Sequence, residues 1–240
     1  MSLAELQGGG HSVVHHPLFA LGLTLLAFQL ALWLYRRSGW LLLQPVMVAM
    51  LLVVAALFAC GLDYPSYREG AAPIALLLGP ATVALAVPLY SNLRRIRLLL
   101  WPVLLTVMLG GTLTVLLTLL IAQTLGASWP VLASLSSKSV TMPIAMLVTE
   151  QLEGIVPLAA VAVMLTGVIG TALGPLLLGW AKVEHPAARG LSYGINAHAI
   201  GTARALEEDE ECAAFAALGM SLLGVMTAVV LPLAANWLFL

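Results

Sequence analysis

The chain has 240 residues, of which 61% are hydrophobic and only 9% are charged, whereas a soluble domain carries about 25% charged residues. Water cannot solvate a surface of that composition, so the sequence predicts an integral membrane protein with the lipid bilayer as its solvent, and it excludes a water-soluble domain. The net charge of −1 gives no electrostatic basis for binding nucleic acid.

Six long segments of the chain contain no Asp, Glu, Lys or Arg. Each has about twenty residues or more, enough for a helix to cross a hydrocarbon core of about 30 Å. The predicted spans are residues 17–35, 40–62, 71–90, 98–126, 155–181 and 212–240. Together they predict one membrane domain over residues 17–240. The preceding tail, residues 1–16, contains His11, His15 and His16, for which we expect solvation rather than a metal site.

Basic residues follow the first and the third predicted spans, and such residues remain on the cytoplasmic side of a membrane. Arg36 and Arg37 are separated by two spans from Arg94, Arg95 and Arg97. Both groups can therefore face the cytoplasm of a bacterial cell, which places the N-terminus outside the cytoplasmic membrane.

The loop that contains Lys182 and Arg189 bears on the topology of residues 130–150. If this loop is cytoplasmic, residues 130–150 must enter the membrane and return on the same side. If they cross fully, the loop lies outside. The positive-inside rule favours re-entry, although Glu184 in the same loop weakens the signal.

Two segments, near residues 130–150 and 187–206, interrupt the apolar pattern. The first contains SSKSVTMPIAM and the second contains GINAHAIGTAR. Each has one cation, small hydroxyl residues and a helix disruptor, Pro143 or Gly201, and each is followed by acidic residues and a long apolar span. The similarity indicates a weak internal repeat, with coincidence in a biased composition as the alternative. Transporters often pair two broken helices near the membrane midplane.

Polar groups at membrane depth are costly and are usually functional. The unpaired N–H groups at the start of a broken helix attract anions, and a neighbouring Lys or Arg adds a full positive charge. We therefore predict a site in which Lys138 and Arg204 converge on one small carboxylate. The other predicted substrate-binding residues are Ser139, Thr141, Asn196, His198 and Thr202. The alternative for both cations is snorkelling to the interface, with flanking acids as partners.

Three further features have open interpretations. His198 could carry a proton near neutral pH, or it could be satisfied by its neighbours. Gly79 and Pro80 are predicted to kink or end a helix, and kinked packing without ligand contact is preferred over a site role. Gly170 and Gly174 predict close helix packing.

No enzymatic function is predicted. The sequence has no GxxxxGK[ST] nucleotide loop, which argues against ATP-driven pumping within this chain. It also shows no nucleophile–base pair, metalloprotease motif or metal-ligand spacing. We expect no cofactor and no bound metal, only H+ or Na+ as a coupling ion.

The sequence resembles the LrgB/CidB family of membrane proteins. The matching pieces are GPATVALAVPLY at 79–90, KSVTMPIAM at 138–146, LTGVIGTALGPLLL at 165–178 and ARGLSYGINAHAIGTARALE at 188–207. Three positions depart from the family pattern: Ser137 replaces a usual Pro, Met142 replaces a frequent second Thr, and Glu153 replaces a common Gly. If the second hydroxyl binds substrate, this chain has lost it, and its substrate differs.

The resemblance implies an all-α polytopic fold with about six full spans, two broken or re-entrant segments and inverted repeats, as in cation/proton antiporter-like and bile-acid-symporter-like folds. It implies two functions. One is secondary transport of a small monocarboxylate such as glycolate or pyruvate. The other is antiholin-like control of murein hydrolase export and autolysis with a small LrgA/CidA-type membrane partner. A homodimer is the expected oligomer.

Overall fold

A computed structural model describes residues 16–40 and 43–239 of the chain. The first fifteen residues, including His11 and His15, lie outside the described part. The described residues form helices and no strand, which confirms the all-α prediction. The thirteen helices are α1 (Pro17–Ser38), α2 (Pro45–Cys60), α3 (Tyr64–Gly70), α4 (Ala72–Leu76), α5 (Leu78–Ala84), α6 (Ala86–Ser91), α7 (Leu93–Leu98), α8 (Leu100–Thr124), α9 (Trp129–Ser136), α10 (Met142–Gln151), α11 (Val156–Trp180), α12 (Pro186–Glu208) and α13 (Glu210–Phe239).

Candidate membrane spans occur at each of the six predicted places. Five stretches of the described residues are long and apolar enough to cross a bilayer: Leu18–Ser38, Ala72–Ser91, Leu100–Thr124, Val156–Trp180 and Glu210–Ala235. The sixth is the pair α2 and α3, which is bent by 119° between its two helices. The chain is therefore a polytopic membrane protein with five or six spans.

The chain divides into two compact units, residues 1–84 and residues 85–240. In the first unit, α1 begins at Pro17, where the His16 ring accepts a hydrogen bond from the Leu18 N–H at 3.2 Å. The helix ends at Gly39, whose φ of 63° is a conformation that glycine adopts without strain. The prediction of one membrane domain over residues 17–240 stays a prediction.

The second unit is built on the two long helices α11 and α13. Its core contains apolar side chains of α8, α11, α12 and α13, among them Val107, Val163, Leu191 and Phe215. The two interrupted segments lie in this unit, as α9 with α10 and as α12. Both segments fold back on themselves.

Helices α9 and α10 form an antiparallel hairpin, called hairpin 1 (residues 129–151). The Ser134 hydroxyl accepts a hydrogen bond from the Ile155 N–H at 2.7 Å, and the Ser137 and Thr149 hydroxyls are 3.0 Å apart. In a straight helix, residues 134 and 155 would be about 31 Å apart. The segment predicted near 130–150 therefore folds as a hairpin whose two ends lie together.

Helix α12 is also a hairpin, called hairpin 2 (residues 186–208), because its backbone turns at His198 with φ 41° and ψ −128°. The Arg189 guanidinium lies 2.8 Å from the Glu208 carboxylate, whereas a straight helix would separate these residues by about 28 Å. The predicted break at Gly201 thus falls three residues earlier. Gly201 has a different role: a Cβ there would overlap the Tyr193 carbonyl oxygen, so only glycine lets the returning arm lie this close.

The two hairpins enter from opposite ends of α11 and α13. The open end of hairpin 1, at Trp129 and Leu152, packs near Leu231 and Ala235 of α13. The open end of hairpin 2 lies at the other end of α13, since a Cβ at Gly190 would overlap the Cys212 carbonyl oxygen. The returning arms, residues 142–151 and 199–208, each extend about 15 Å. Each bend therefore lies about 15 Å from the open end of its hairpin, and this length is half the thickness of a hydrocarbon core of about 30 Å.

Candidate functional site

The bend of hairpin 1 carries four of the predicted site residues, Lys138, Ser139, Thr141 and Pro143. Pro143 lies in the first turn of α10, where its ring and missing N–H prevent α9 from continuing as one helix. Lys138 is half-buried at the bend, and its Nζ donates a hydrogen bond to the buried Ser139 hydroxyl at 3.3 Å. No carboxylate of the described residues forms an ion pair with Lys138.

Thr141 is the N-cap residue of α10, but its side chain makes no capping hydrogen bond. The first N–H groups of a helix have no partner within the helix, so the N-terminus of α10 presents its partial positive charge at the bend beside Lys138. This end of hairpin 1 combines a helix N-terminus, an ammonium group and two hydroxyl groups, which together suit an anion.

The bend of hairpin 2 is fixed by His198. Its Nε2 lies 2.9 Å from the Val163 carbonyl oxygen of α11; the carbonyl can only accept, so Nε2 carries the hydrogen. The ring lies against Gly167, where a Cβ would come within 2.9 Å of Nε2. This geometry matches the interpretation in which the histidine is satisfied by its neighbours. The proton-carrying role stays a prediction.

Two more predicted residues surround this bend. The Thr202 hydroxyl donates to the His198 carbonyl at 3.0 Å and lies 3.8 Å from Met220 Sδ of α13. Asn196 is exposed at the bend, and its amide donates to the Ser192 carbonyl at 3.0 Å.

Both bends approach the same part of α13. Thr202 of hairpin 2 contacts Met220, and Ile144 of hairpin 1 contacts Gly224, where a Cβ would lie 2.9 Å from Ile144 Cδ1. Met220 and Gly224 are one helical turn apart, about 6 Å along the axis. The structure thus brings the bends that carry Lys138 and His198 to about the same level along α13.

Arg204 has other partners. Its guanidinium lies 2.8 Å from the Glu207 carboxylate and 3.6 Å from the Glu208 carboxylate, as expected of a cation paired with flanking acids. Both of these acids belong to the same helix as Arg204. The shared carboxylate between Lys138 and Arg204 stays a prediction, and the geometry around Lys138 supports a site that does not require Arg204.

Gly79 and Pro80 belong to the other unit. Both lie in the first turn of α5, and the preceding helix α4 ends at Leu76. The predicted interruption therefore occurs at Leu77, two residues before Gly79, because a proline is tolerated in the first turn of a helix and not in its interior.

The open end of hairpin 2 carries an ion cluster that sequence reasoning missed. The Glu208 carboxylate accepts hydrogen bonds from Arg189 at 2.9 Å and from the Tyr193 hydroxyl at 2.7 Å. The acidic run EEDEE is visible in the sequence. The partners of Glu208, however, lie fifteen and nineteen residues before it, which is beyond the spacing at which a continuous helix pairs its side chains.

A second set of polar contacts joins two basic loops of the second unit. The Arg95 guanidinium lies 2.7 Å from the Glu211 carboxylate and 3.3 Å from the His185 ring. The basic loops at 94–97 and 182–189 therefore lie at the same end of this unit. That is the arrangement expected if residues 130–150 re-enter rather than cross.

Known proteins resemble the chain over most of its length. It matches the LrgB-like family over residues 24–237. It is 33% identical over 218 residues to the antiholin-like protein LrgB of Bacillus cereus strain B4264. The matched region covers 90% of this chain and 95% of that protein. The antiholin-like protein LrgB of Bacillus anthracis strain CDC 684 matches with the same identity and coverage. No solved structure matches the chain significantly. The chain therefore belongs to the LrgB family of membrane proteins.

Proposed function

We propose that the protein is a secondary transporter that moves a small monocarboxylate across the bacterial cytoplasmic membrane, with its binding site at the bends of the two hairpins. The observation that carries this proposal is Lys138. It is half-buried at the depth of the bend, and no carboxylate of the described residues neutralises it. An uncompensated cation at that depth is costly, so an anionic ligand at this position stabilises the fold.

The chemistry around Lys138 favours one carboxylate group. The N-terminus of α10 and the ammonium group supply positive charge, and the hydroxyls of Ser139 and Thr141 can donate hydrogen bonds to its oxygens. One full cation balances one negative charge, which favours a monocarboxylate such as glycolate or pyruvate over a dicarboxylate. Asn196 and Thr202 border the opposite bend, and contact of Arg204 with the same carboxylate stays a prediction.

The charge distribution gives the proposed orientation. Arg94, Arg95, Arg97, Lys182 and Arg189 lie at one end of the second unit, and we assign that end to the cytoplasm by the positive-inside rule. Hairpin 1 then opens to the outside and hairpin 2 to the cytoplasm, with the N-terminus outside. We propose no cofactor and no enzymatic step. Coupling to H+ or Na+ supplies the driving force.

A second function is favoured by the relatives. The similar proteins of Bacillus cereus and Bacillus anthracis are named antiholin-like protein LrgB. On that hypothesis the chain regulates murein hydrolase export and autolysis together with a small LrgA/CidA-type membrane partner, and forms a homodimer. Two opposed hairpins with bends at one depth are more than a simple pore requires, so transport is the preferred function.

The two functions are separated by uptake into proteoliposomes. We expect saturable uptake of labelled glycolate, pyruvate or lactate by the purified chain. Lys138→Gln should reduce this uptake at least tenfold, because it removes the proposed anchor for the carboxylate. Lys182→Gln is the matched control at an exposed loop, and uptake should stay within twofold of wild type. Release of a large trapped dye without any saturable uptake would contradict transport and favour the antiholin-like function.

A further inference from the structure

The two hairpins are held in place by different kinds of contact. Hairpin 2 packs backbone against backbone. A Cβ at Gly190 or Gly194 would overlap the carbonyl oxygens of Cys212 or Ala216 in α13. On its other side, Ala197 lies against Gly170 of α11, where a Cβ would approach within 2.9 Å. Such contacts leave no room for small displacements.

Charged groups join the two arms of hairpin 2. Arg189 and Tyr193 of the entering arm both bind the carboxylate of Glu208, which ends the returning arm. Arg189 also donates to the Val183 carbonyl at 3.1 Å, which ties the hairpin to the loop after α11. His198 fixes the bend to Val163. Hairpin 2 is thus fastened at its open end, along its length and at its bend.

Hairpin 1 is fastened by neutral hydrogen bonds. The Ser137 and Thr149 hydroxyls join its arms at 3.0 Å, and the Ser134 hydroxyl binds the Ile155 N–H. Neutral hydrogen bonds are weaker than charge-assisted ones. The returning arm α10 is also less enclosed, since Met142, Met146 and Leu147 are exposed.

An open apolar cavity lies beside hairpin 1. It has a volume of about 170 Å³, lies between α9, α8 and α13, and opens to the surface beside the exposed Leu116 and Val230. Its walls are almost wholly apolar and include Gly111, Val115, Trp129, Leu132, Thr227 and Leu231. A helix can move into such a cavity without displacing packed side chains.

We propose that hairpin 1 is the mobile gate of the site and that hairpin 2 is its fixed wall. In the open state α9 shifts into the cavity and the Ser137 and Thr149 hydroxyls separate. The surroundings of Lys138 then become accessible from one end of the second unit. This end is the one that lies away from the Arg95–Glu211 ion pair. The gate serves the transport site proposed above and rests on that proposal for its function, but its motion is measurable without any substrate.

Amide hydrogen exchange of the full-length protein in lipid nanodiscs tests this motion. The two returning arms, residues 142–151 and 199–208, have equal length and are therefore matched. After correction for intrinsic rates, we expect amide exchange in residues 142–151 to be at least tenfold faster than in residues 199–208. Equal rates, or faster exchange in residues 199–208, would overturn the proposal.

A second measurement tests the cavity. Val115 lines the cavity and Leu113 lies on the exposed side of the same helix. Val115→Phe should fill the space and slow exchange in residues 142–151 at least fivefold, whereas Leu113→Phe should leave it unchanged. A folded Val115→Phe protein with wild-type exchange would refute the gate. Absence of uptake by the wild-type protein overturns the transport function alone, because the exchange rates decide the gate by themselves.

Discussion

Lys138 and Arg204 have different electrostatic surroundings although the sequence segments around them are alike. The helix breaks and hydroxyl residues beside them predict that both cations bind one carboxylate. The local sequence indicates that each cation lies near hydroxyls and a helix break, but not which acids fold back onto it. Arg204 has acids three and four residues later, within reach on a helix. Lys138 is followed by Glu150 only after the chain has passed through the bend.

Glu208 is the residue on which the ion cluster depends. Glu208→Gln removes the negative charge that neutralises Arg189 and Arg204 while keeping nearly the same shape. The side chains of Arg189 and Glu208 are only 21% and 17% exposed. Loss of the ion pair between them should therefore lower the free energy of unfolding by about 1–3 kcal/mol, which is less than for a fully buried pair. Thermal unfolding in detergent measures this. Glu207→Gln is the control, because Glu207 is 60% exposed; an equal effect of both substitutions would contradict the assigned role.

At the scale of the helices, the sequence predicted spans better than contacts. The spans end within a few residues of the predicted bounds, because a charged residue at membrane depth costs enough to mark each end. The break at Pro143 was also predictable, since proline cannot continue a helix. The break at His198 was not, because its φ of 41° depends on a hydrogen bond to Val163 that is distant in sequence. The internal repeat stays a prediction, and the opposed entry of the two hairpins agrees with it.

The packing of hairpin 2 on α13 depends on glycine. Gly194→Ala would place a Cβ on the Ala216 carbonyl oxygen, and because backbone cannot change rotamer, the two helices must separate. We expect a loss of about 1–3 kcal/mol in the free energy of unfolding. Gly179→Ala is the matched control in α11, where a Cβ meets nothing within 4 Å, and it should be neutral or stabilising. Thermal unfolding of the two variants side by side checks the prediction, and an equally stable Gly194→Ala protein would contradict it.

At the scale of the whole molecule, re-entry of residues 130–150 determines which loops share a side of the membrane. If hairpin 1 re-enters, Ser128 and Glu150 lie on one side and Lys182 on the other. If the segment crosses, Ser128 and Lys182 share a side. The charge rule alone separated these alternatives only weakly, since Glu184 lies among the basic residues. The contacts of Arg95 with His185 and Glu211 favour the first arrangement.

Single-cysteine labelling in intact bacterial cells tests this topology and the proposed orientation together. The background carries Cys60→Ser and Cys212→Ala, because the chain's two cysteines are free thiols. Ser128→Cys, Glu150→Cys and Lys182→Cys each replace an exposed residue. A membrane-impermeant maleimide should label the first two at least tenfold more than the third, because hairpin 1 opens outside and the basic loop is held in the cytoplasm. Permeabilised cells, in which all three should react, provide the control. Labelling of Ser128→Cys and Lys182→Cys but not of Glu150→Cys would show that the segment crosses fully. Labelling of Lys182→Cys alone would keep the re-entrant hairpin but reverse the orientation of the protein in the membrane.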